Sequence, residues 1–169
     1  NQNMYYPKLN SQIERTYARN STANLKKSLY DSYIQALRWS SDRIGSQGII
    51  GFVSNGSFID SQSTDGLRKC LYEEFNHLYI FNLRGDARTS GEQRRKEAGN
   101  VFDSGSRTSI AISILVKDSS DNHVIYYRDI GDYLSRDNKL SLLQSSQSIS
   151  GIEWSLINPD KNNDWINQR

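Results

Sequence analysis

Cysteine, proline, histidine and methionine are all scarce in this chain of 169 residues, which has one Cys, two Pro, two His and one Met. The lone Cys70 excludes an internal disulfide or a cysteine-based metal cluster, and its use fits a reducing, cytoplasmic compartment. In its setting, Lys69-Cys70-Leu71, it reads as a small, partly buried hydrophobe. His77 and His123 have no Cys or His partner at ligand spacing, so no metal site is expected. No apolar run approaches the roughly 18 residues of a membrane span, and the polar opening lacks the apolar stretch of a secretory signal. Gly-x-Ser-x-Gly, a phosphate loop ending in Gly-Lys-Ser/Thr and the dinucleotide pattern Gly-x-Gly-x-x-Gly are absent too. A nucleophile elbow and those two phosphate-binding loops are therefore not to be expected.

What is present is a series of short apolar runs that end in Asn/Gly turns. Residues 21–43 place Leu25, Leu29, Tyr33 and Leu37 four apart behind Ser21 or Thr22 as cap, which predicts a helix lying on a sheet, with Tyr30, Tyr33 and Trp39 packed against it. Gly45 and Gly48 end that helix, and residues 49–53 form a continuous apolar strand. Residues 61–75 predict a second helix, with Leu67, Leu71 and Phe75 inward and Gly66 a slight weakness. Residues 78–81 then make a second strand, and strand–helix–strand of this length is a right-handed parallel βαβ unit. A long strand at 108–117 and a short one at 124–127, joined by a turn alone, are expected to pair antiparallel. Asp132 or Ser135 starts a last helix; a polar linker at 145–150 and a tail with Trp154, Ile157, Trp165 and Ile166 follow. The fold class is α/β, with a parallel βαβ unit followed by an antiparallel strand and helices packed on the sheet. Residues 1–20 read as a polar arm with a short helix at 11–18, residues 21–145 as the α/β domain and residues 146–169 as a linker. Neither Asn1-Gln2-Asn3 nor Asn167-Gln168-Arg169 reads as a natural boundary, so a piece of a longer protein is expected.

Ligands of an open parallel sheet collect at the carboxyl ends of its strands. Ser54, Asn55, Gly56 and Phe58 stand at one such end, and Asn82, Arg84 and Gly85 at the next. A strand running the other way from 108 brings Phe102, Ser106 and Arg107 to the same rim. Asparagine suits a planar amide or a base edge, and arginine suits phosphate or carboxylate. Asn-Gly and Arg-Gly are also ordinary turn formers. The net charge of +2 permits nucleic-acid contact without requiring it. Between 84 and 107, however, Arg84, Arg88, Arg94, Arg95, Lys96 and Arg107 outnumber Asp86, Glu92, Glu97 and Asp103. That segment is either a solvated loop face or a phosphate-contacting one.

Several of these signals resemble one family in their order and spacing. Leu29-Tyr30-Asp31-Ser32-Tyr33, Ala36-Leu37-Arg38-Trp39, Phe52-Val53-Ser54-Asn55-Gly56 and Phe81-Asn82-Leu83-Arg84-Gly85 are followed by Arg88-Thr89, Gly91-Glu92, Arg95-Lys96-Glu97 and Asn100-Val101-Phe102. Together they resemble the carboxyl-terminal half of the adenine-specific DNA methyltransferase domain of type ISP, single-polypeptide restriction-modification proteins. The resemblance implies a partial Rossmann-like methyltransferase sheet. It also implies S-adenosylmethionine as cofactor of the parent enzyme, with methyl transfer to the exocyclic amine of an adenine flipped out of double-stranded DNA. The implied partners are that DNA, the missing amino-terminal half of the domain, and the nuclease, helicase-like and target-recognition parts of such proteins; no membrane is among them. Residues 146–169 would lead towards the target-recognition region.

The sequence departs from the family at two places. It has neither a glycine-rich cofactor loop nor an Asn/Asp-Pro-Pro-Tyr/Phe motif, since its prolines are Pro7 and Pro159. No catalytic residue is therefore assigned, the cofactor-binding residues are unknown, and the isolated chain is expected to be inert. By the resemblance Asn55 and Phe58 shape the base pocket, and Phe102 is the candidate aromatic against the extrahelical base. Arg84, Arg88, Arg95, Lys96 and Arg107 are the candidates for DNA contact. Two other readings stand beside this one: a non-catalytic nucleic-acid or protein-binding α/β module, and a Rossmann-like transferase acting on a small molecule.

Overall fold

The structure, a computed structural model, describes residues 4–167; Asn1 to Asn3, where the expected arm begins, and the terminal Gln168 and Arg169 lie outside the described residues. Five strands, β1 (Gly48–Asn55), β2 (His77–Arg84), β3 (Ile110–Lys117), β4 (Val124–Asp129) and β5 (Ser155–Ile157), form one mixed sheet in the order β1-β3-β2-β4-β5. β1 and β2 run parallel, as the βαβ reading requires, but they are not neighbours. β3 lies between them and is antiparallel to both, with Ser113 opposite Phe52 on one side and Ile80 on the other. The run Ile110-Ala111-Ile112-Ser113-Ile114-Leu115 is apolar on both faces, which suits a strand with a neighbour on each edge.

The expected antiparallel pairing of the 108–117 and 124–127 strands is corrected by this arrangement. Both edges of β3 are taken, so β4 adds to β2 instead and runs parallel to it, Tyr126 beside Tyr79. Asn76 holds the crossing connection. Its N–H donates to Val116 O and its carbonyl accepts from Val124 N. Its Nδ2 donates to Ser120 O at 2.6 Å, and its Oδ1 accepts from Asp118 N at 2.8 Å.

The helix expected over 21–43 is also corrected. Helix α1 (Pro7–Ile13) continues through a π-helical turn, Glu14–Ala18, so the chain is helical well before residue 21. After an irregular stretch come a 3₁₀ turn, Lys27–Tyr30, and α2 (Ser32–Ser41). The break has a cause outside the segment. Asp65, the first residue of α3 (Asp65–Glu74), accepts from Ser21 Oγ at 2.5 Å, from Thr22 N at 2.9 Å and from Thr22 Oγ1 at 2.6 Å. The residues that were to cap their own helix thus serve another one. Burial works against the Asp65 charge, but these hydrogen bonds outweigh it and hold the carboxyl below its usual range. Leu25 is consequently exposed, and Trp39 is half exposed with the Arg43 guanidinium 4.2 Å over its ring rather than packed on the sheet. Tyr30 and Tyr33 do pack against the core.

One face of the sheet, with Ile50, Leu78, Ile80, Leu115 and Ile125, meets Ile13, Tyr17, Leu37, Leu67 and Leu71 of the helices. A smaller cluster of Phe81, Leu83, Val101, Ile110 and Ile130 is covered by Leu143 and Trp154. Helix α5 (Arg136–Ser146) starts at Ser135, whose Oγ accepts from Asn138 N. The tail folds back: β5 pairs antiparallel with β4, and Trp165 is buried edge-on against Phe58. Among the described residues no helix is long and apolar enough to cross a membrane.

Candidate functional site

The carboxyl ends of β1 and β2 and the amino end of β3 meet at one rim, as strand direction alone predicts. Below that rim lies a cavity of about 480 Å³ lined by, among others, Asp31, Tyr33, Asn55, Asp86, Arg88 and Glu97. This volume falls within the range of small-molecule sites. The turn after β1 is built by Asn55, whose Oδ1 accepts from Ser57 N at 2.9 Å and Ser57 Oγ at 2.7 Å and so caps the 3₁₀ turn Gly56–Phe58. Gly56 N donates to Ser109 O, which ties this turn to the entry of β3.

Arg88 is the cation of the cavity wall. It grips both carboxylate oxygens of Asp86, Nε donating to Oδ1 at 2.9 Å and Nη2 to Oδ2 at 2.6 Å, and reaches Ser57 Oγ at 3.1 Å. The guanidinium thereby bridges the loops after β1 and β2 and holds the Asp86 carboxyl below its usual range. Glu97 closes the far side: its carboxylate accepts from Asp86 N at 3.0 Å and Gln93 Nε2 at 2.9 Å. Burial pushes the Tyr33 phenol up from its ordinary range. The carboxylates, amides and hydroxyls of this lining can accept hydrogen bonds from a donor-bearing planar ligand, and the carboxylates repel phosphate.

The other residues singled out from the sequence divide into three groups. Phe58 turns into the core, 1% exposed, between Tyr33 and Trp165, and supports the cavity from behind instead of lining it. Arg84 is committed within the fold: at a backbone φ of 56° it donates through Nε to Asp129 Oδ1 at 2.7 Å and pairs with Asp132. Burial opposes its charge, and these two carboxylates more than compensate, raising its pKa. Arg95, Lys96 and Arg107 face outward; Arg95 pairs with Glu92 at 3.0 Å, and Lys96 stands 3.8 Å from Asp132. Phe102 is 54% exposed on the rim, in a loop pinned by Asn100, whose Nδ2 donates to Gly85 O and Thr108 O.

The sequence reading missed the acidic lining. Asp86 follows the Arg84-Gly85 turn directly, and that position at a strand end was the available signal; Asp31 and Glu97 come from helical stretches and gave none. Among the described residues no group of three or more His, Cys, Asp or Glu is arranged to hold a metal ion.

No protein-family model matches the chain, and no curated protein does. Solved structures do, over the whole chain. A nuclease-deletion mutant of the Type ISP restriction-modification enzyme LlaGI, in complex with a DNA substrate mimic, is 62% identical with a TM-score of 0.98. The ATP-dependent Type ISP restriction-modification enzyme LlaBIII, bound to DNA, is 41% identical with a TM-score of 0.94. DrdV in its DNA complex is 40% identical with a TM-score of 0.93. The chain spans 16%, 12% and 16% of those chains, respectively. Identity and superposition of this order along every part of the chain reflect common descent, so the chain is homologous to a segment of the Type ISP restriction-modification enzymes.

Proposed function

We propose that this chain is the carboxyl-terminal half of an adenine-specific DNA methyltransferase core and forms the base-and-DNA side of its site. The observation that carries the reading is the rim. An antiparallel strand inserted between two parallel ones brings Asn55 and Arg88 into the wall of a cavity rich in hydrogen-bond acceptors, and the loop that leads into that strand carries the exposed Phe102. A flipped adenine offers its amine as donor and its ring as a stacking face, and the rim supplies acceptors and an exposed aromatic for them. The acidic cavity repels the phosphates, which leaves the backbone to the outward Arg95, Lys96 and Arg107. Arg84 stays with Asp129 and Asp132 and braces the rim, and Arg88 shapes the cavity wall.

The residues here do not make a place for S-adenosylmethionine. The turn after β1 spends its N–H groups on Asn55 and on the chain itself, and the turn after β2 is closed by the Arg84 ion pairs. No step is therefore derived through the cofactor, which belongs in this reading to the other half of the domain. Double-stranded DNA and the nuclease, helicase-like and target-recognition parts of the longer polypeptide are the remaining partners.

Transfer of labelled methyl groups to adenine-containing DNA tests the proposal. The full-length protein should be active and this chain alone inert; incorporation by the isolated chain would sink the division of labour. Phe102→Ala in the full-length protein should lower kcat about a hundredfold, within the range of orientation effects, while DNA affinity stays within twofold. Replacing Arg95 or Lys96 by alanine should weaken DNA binding evenly across sequences and reduce the slope of log K against log salt by about 1. An unchanged slope removes those two residues from the interface.

A further inference from the structure

One of the positions through which α5 meets the interior is occupied by a lysine. Lys139 is 0% exposed, while Leu140 and Leu142 beside it are exposed. Lysine is among the residues least often fully buried, because an ammonium leaves water at high cost unless its hydrogen bonds are replaced. Here Nζ donates to Glu97 O at 2.9 Å and to Gly99 O at 2.7 Å. These carbonyls flank Ala98, where helix α4 (Gly91–Glu97) ends at a φ of 48° and ψ of −127°, a conformation hostile to a side chain. Carbonyls at a helix end need outside partners, and α5 supplies them. Burial lowers the Lys139 pKa to about 8, with Glu97 and Asp129 acting to raise it and Arg84 and Arg94 to lower it.

The same stretch is held at further points. Gly99 N donates to Leu134 O, Arg136 Nε donates to Val101 O at 3.2 Å, and a Cβ on Gly99 would run into Arg136 N. Asn100 Oδ1 accepts from Phe102 N at 2.9 Å. Six residues therefore join the Glu97 carboxylate, a wall of the cavity, to the exposed ring of Phe102, and Lys139 grips the main chain at the cavity end.

We infer that Lys139 is a positioning residue of the base site: by holding the carbonyls of Glu97 and Gly99 it sets the Glu97 wall and Phe102 relative to each other. This role rests on the methyltransferase reading above. Lys139→Met in the full-length enzyme keeps an unbranched side chain, one atom shorter, and removes its donors. Amide hydrogen exchange over 97–106 should quicken about tenfold or more while β1 to β3 keep their protection. With 2-aminopurine at the target adenine the flipped-base fluorescence should fall, and kcat should drop about tenfold with KM for DNA within twofold. Unchanged exchange would overturn the role, and so would faster exchange with wild-type kcat and fluorescence. Should K139M lose protection throughout, K139Q carries the test, because its amide keeps the site polar while its donor sits one atom nearer the backbone than the Nζ that bonds both carbonyls. Wild-type exchange, kcat and fluorescence in K139Q would overturn the role, and loosening confined to the loop with reduced kcat would support it. A wild-type enzyme that transfers no methyl group and gives no 2-aminopurine signal would overturn the methyltransferase reading itself. Failure of the Lys139 role alone shows instead as an active wild type and an equally active K139M.

Discussion

Asparagine in place of Asp164 is expected to lower the unfolding free energy by about 3–5 kcal/mol, the usual cost of breaking a buried ion pair from one side. Arg68 is completely buried and every nitrogen of its guanidinium is engaged. Nε donates to Asn163 O at 2.8 Å; Nη1 donates to Phe58 O, Ser61 O and Thr64 Oγ1 at 2.9, 2.7 and 2.9 Å; Nη2 meets Asp164 Oδ1 at 2.5 Å. Asparagine nearly conserves shape but withdraws the carboxylate from a guanidinium that cannot reach water. Folded domains are stable by only about 5–15 kcal/mol, so the substitution removes a large share of the total. Urea unfolding with an unchanged m-value measures it. A loss below about 1 kcal/mol, the scale of an exposed pair, would show that the site is wetter than its burial indicates. Replacing both residues, Arg68→Met with Asp164→Leu, should recover most of the loss, because well-packed apolar groups often match a buried pair. The pair also fastens the tail to the 58–64 loop behind the cavity, so D164N should loosen both together.

Alanine at Gly66 should destabilise by about 3 kcal/mol, the upper end for overpacking, although helix propensity alone predicts a gain of about 1 kcal/mol. A Cβ at this position would overlap the Tyr17 carbonyl oxygen and stand 2.5 Å from Ser21 N and 2.9 Å from Asn20 C. All three are main-chain atoms, which cannot rotate aside. Glycine is what lets α3 approach the end of the first helical segment closely enough for Asp65 to reach Ser21 and Thr22. In a chain of this size 1 kcal/mol shifts the melting temperature by roughly 2–4 °C, so Tm should fall by roughly 6–12 °C. A rise in Tm would return Gly66 to the plain helix-weakening role that the sequence suggests.

The two residues show where the sequence was legible. All four strands anticipated from apolar runs exist, and the helix at 61–75 and the start of α5 at Ser135 are found where expected. The rim was legible too, because the carboxyl ends of β1 and β2 face the same way whatever lies between them. Asn55 accordingly lines the cavity and Phe102 is exposed, whereas Arg88, expected among the DNA contacts, is turned into the cavity wall by Asp86. Phe58 and Trp39 were legible only as large aromatics; one faces the core and the other solvent, and no local pattern separates them. Arg84 carries the same charge as Arg95, yet Asp129 and Asp132, forty-odd residues later, bind it inside the fold.

The four apolar strands, their directions and the helix at 61–75 were written locally, since apolar periodicity and Asn/Gly turns act over a few residues. The tertiary structure decided the order of the strands, because β3 reaches the middle of the sheet only by pairing with strands far from it in the chain. It also decided the acidic character of the cavity and the work of Asp65, Arg68 and Lys139. A buried charge is stable only opposite partners that folding brings from elsewhere, and the identity of those partners is not written next to it.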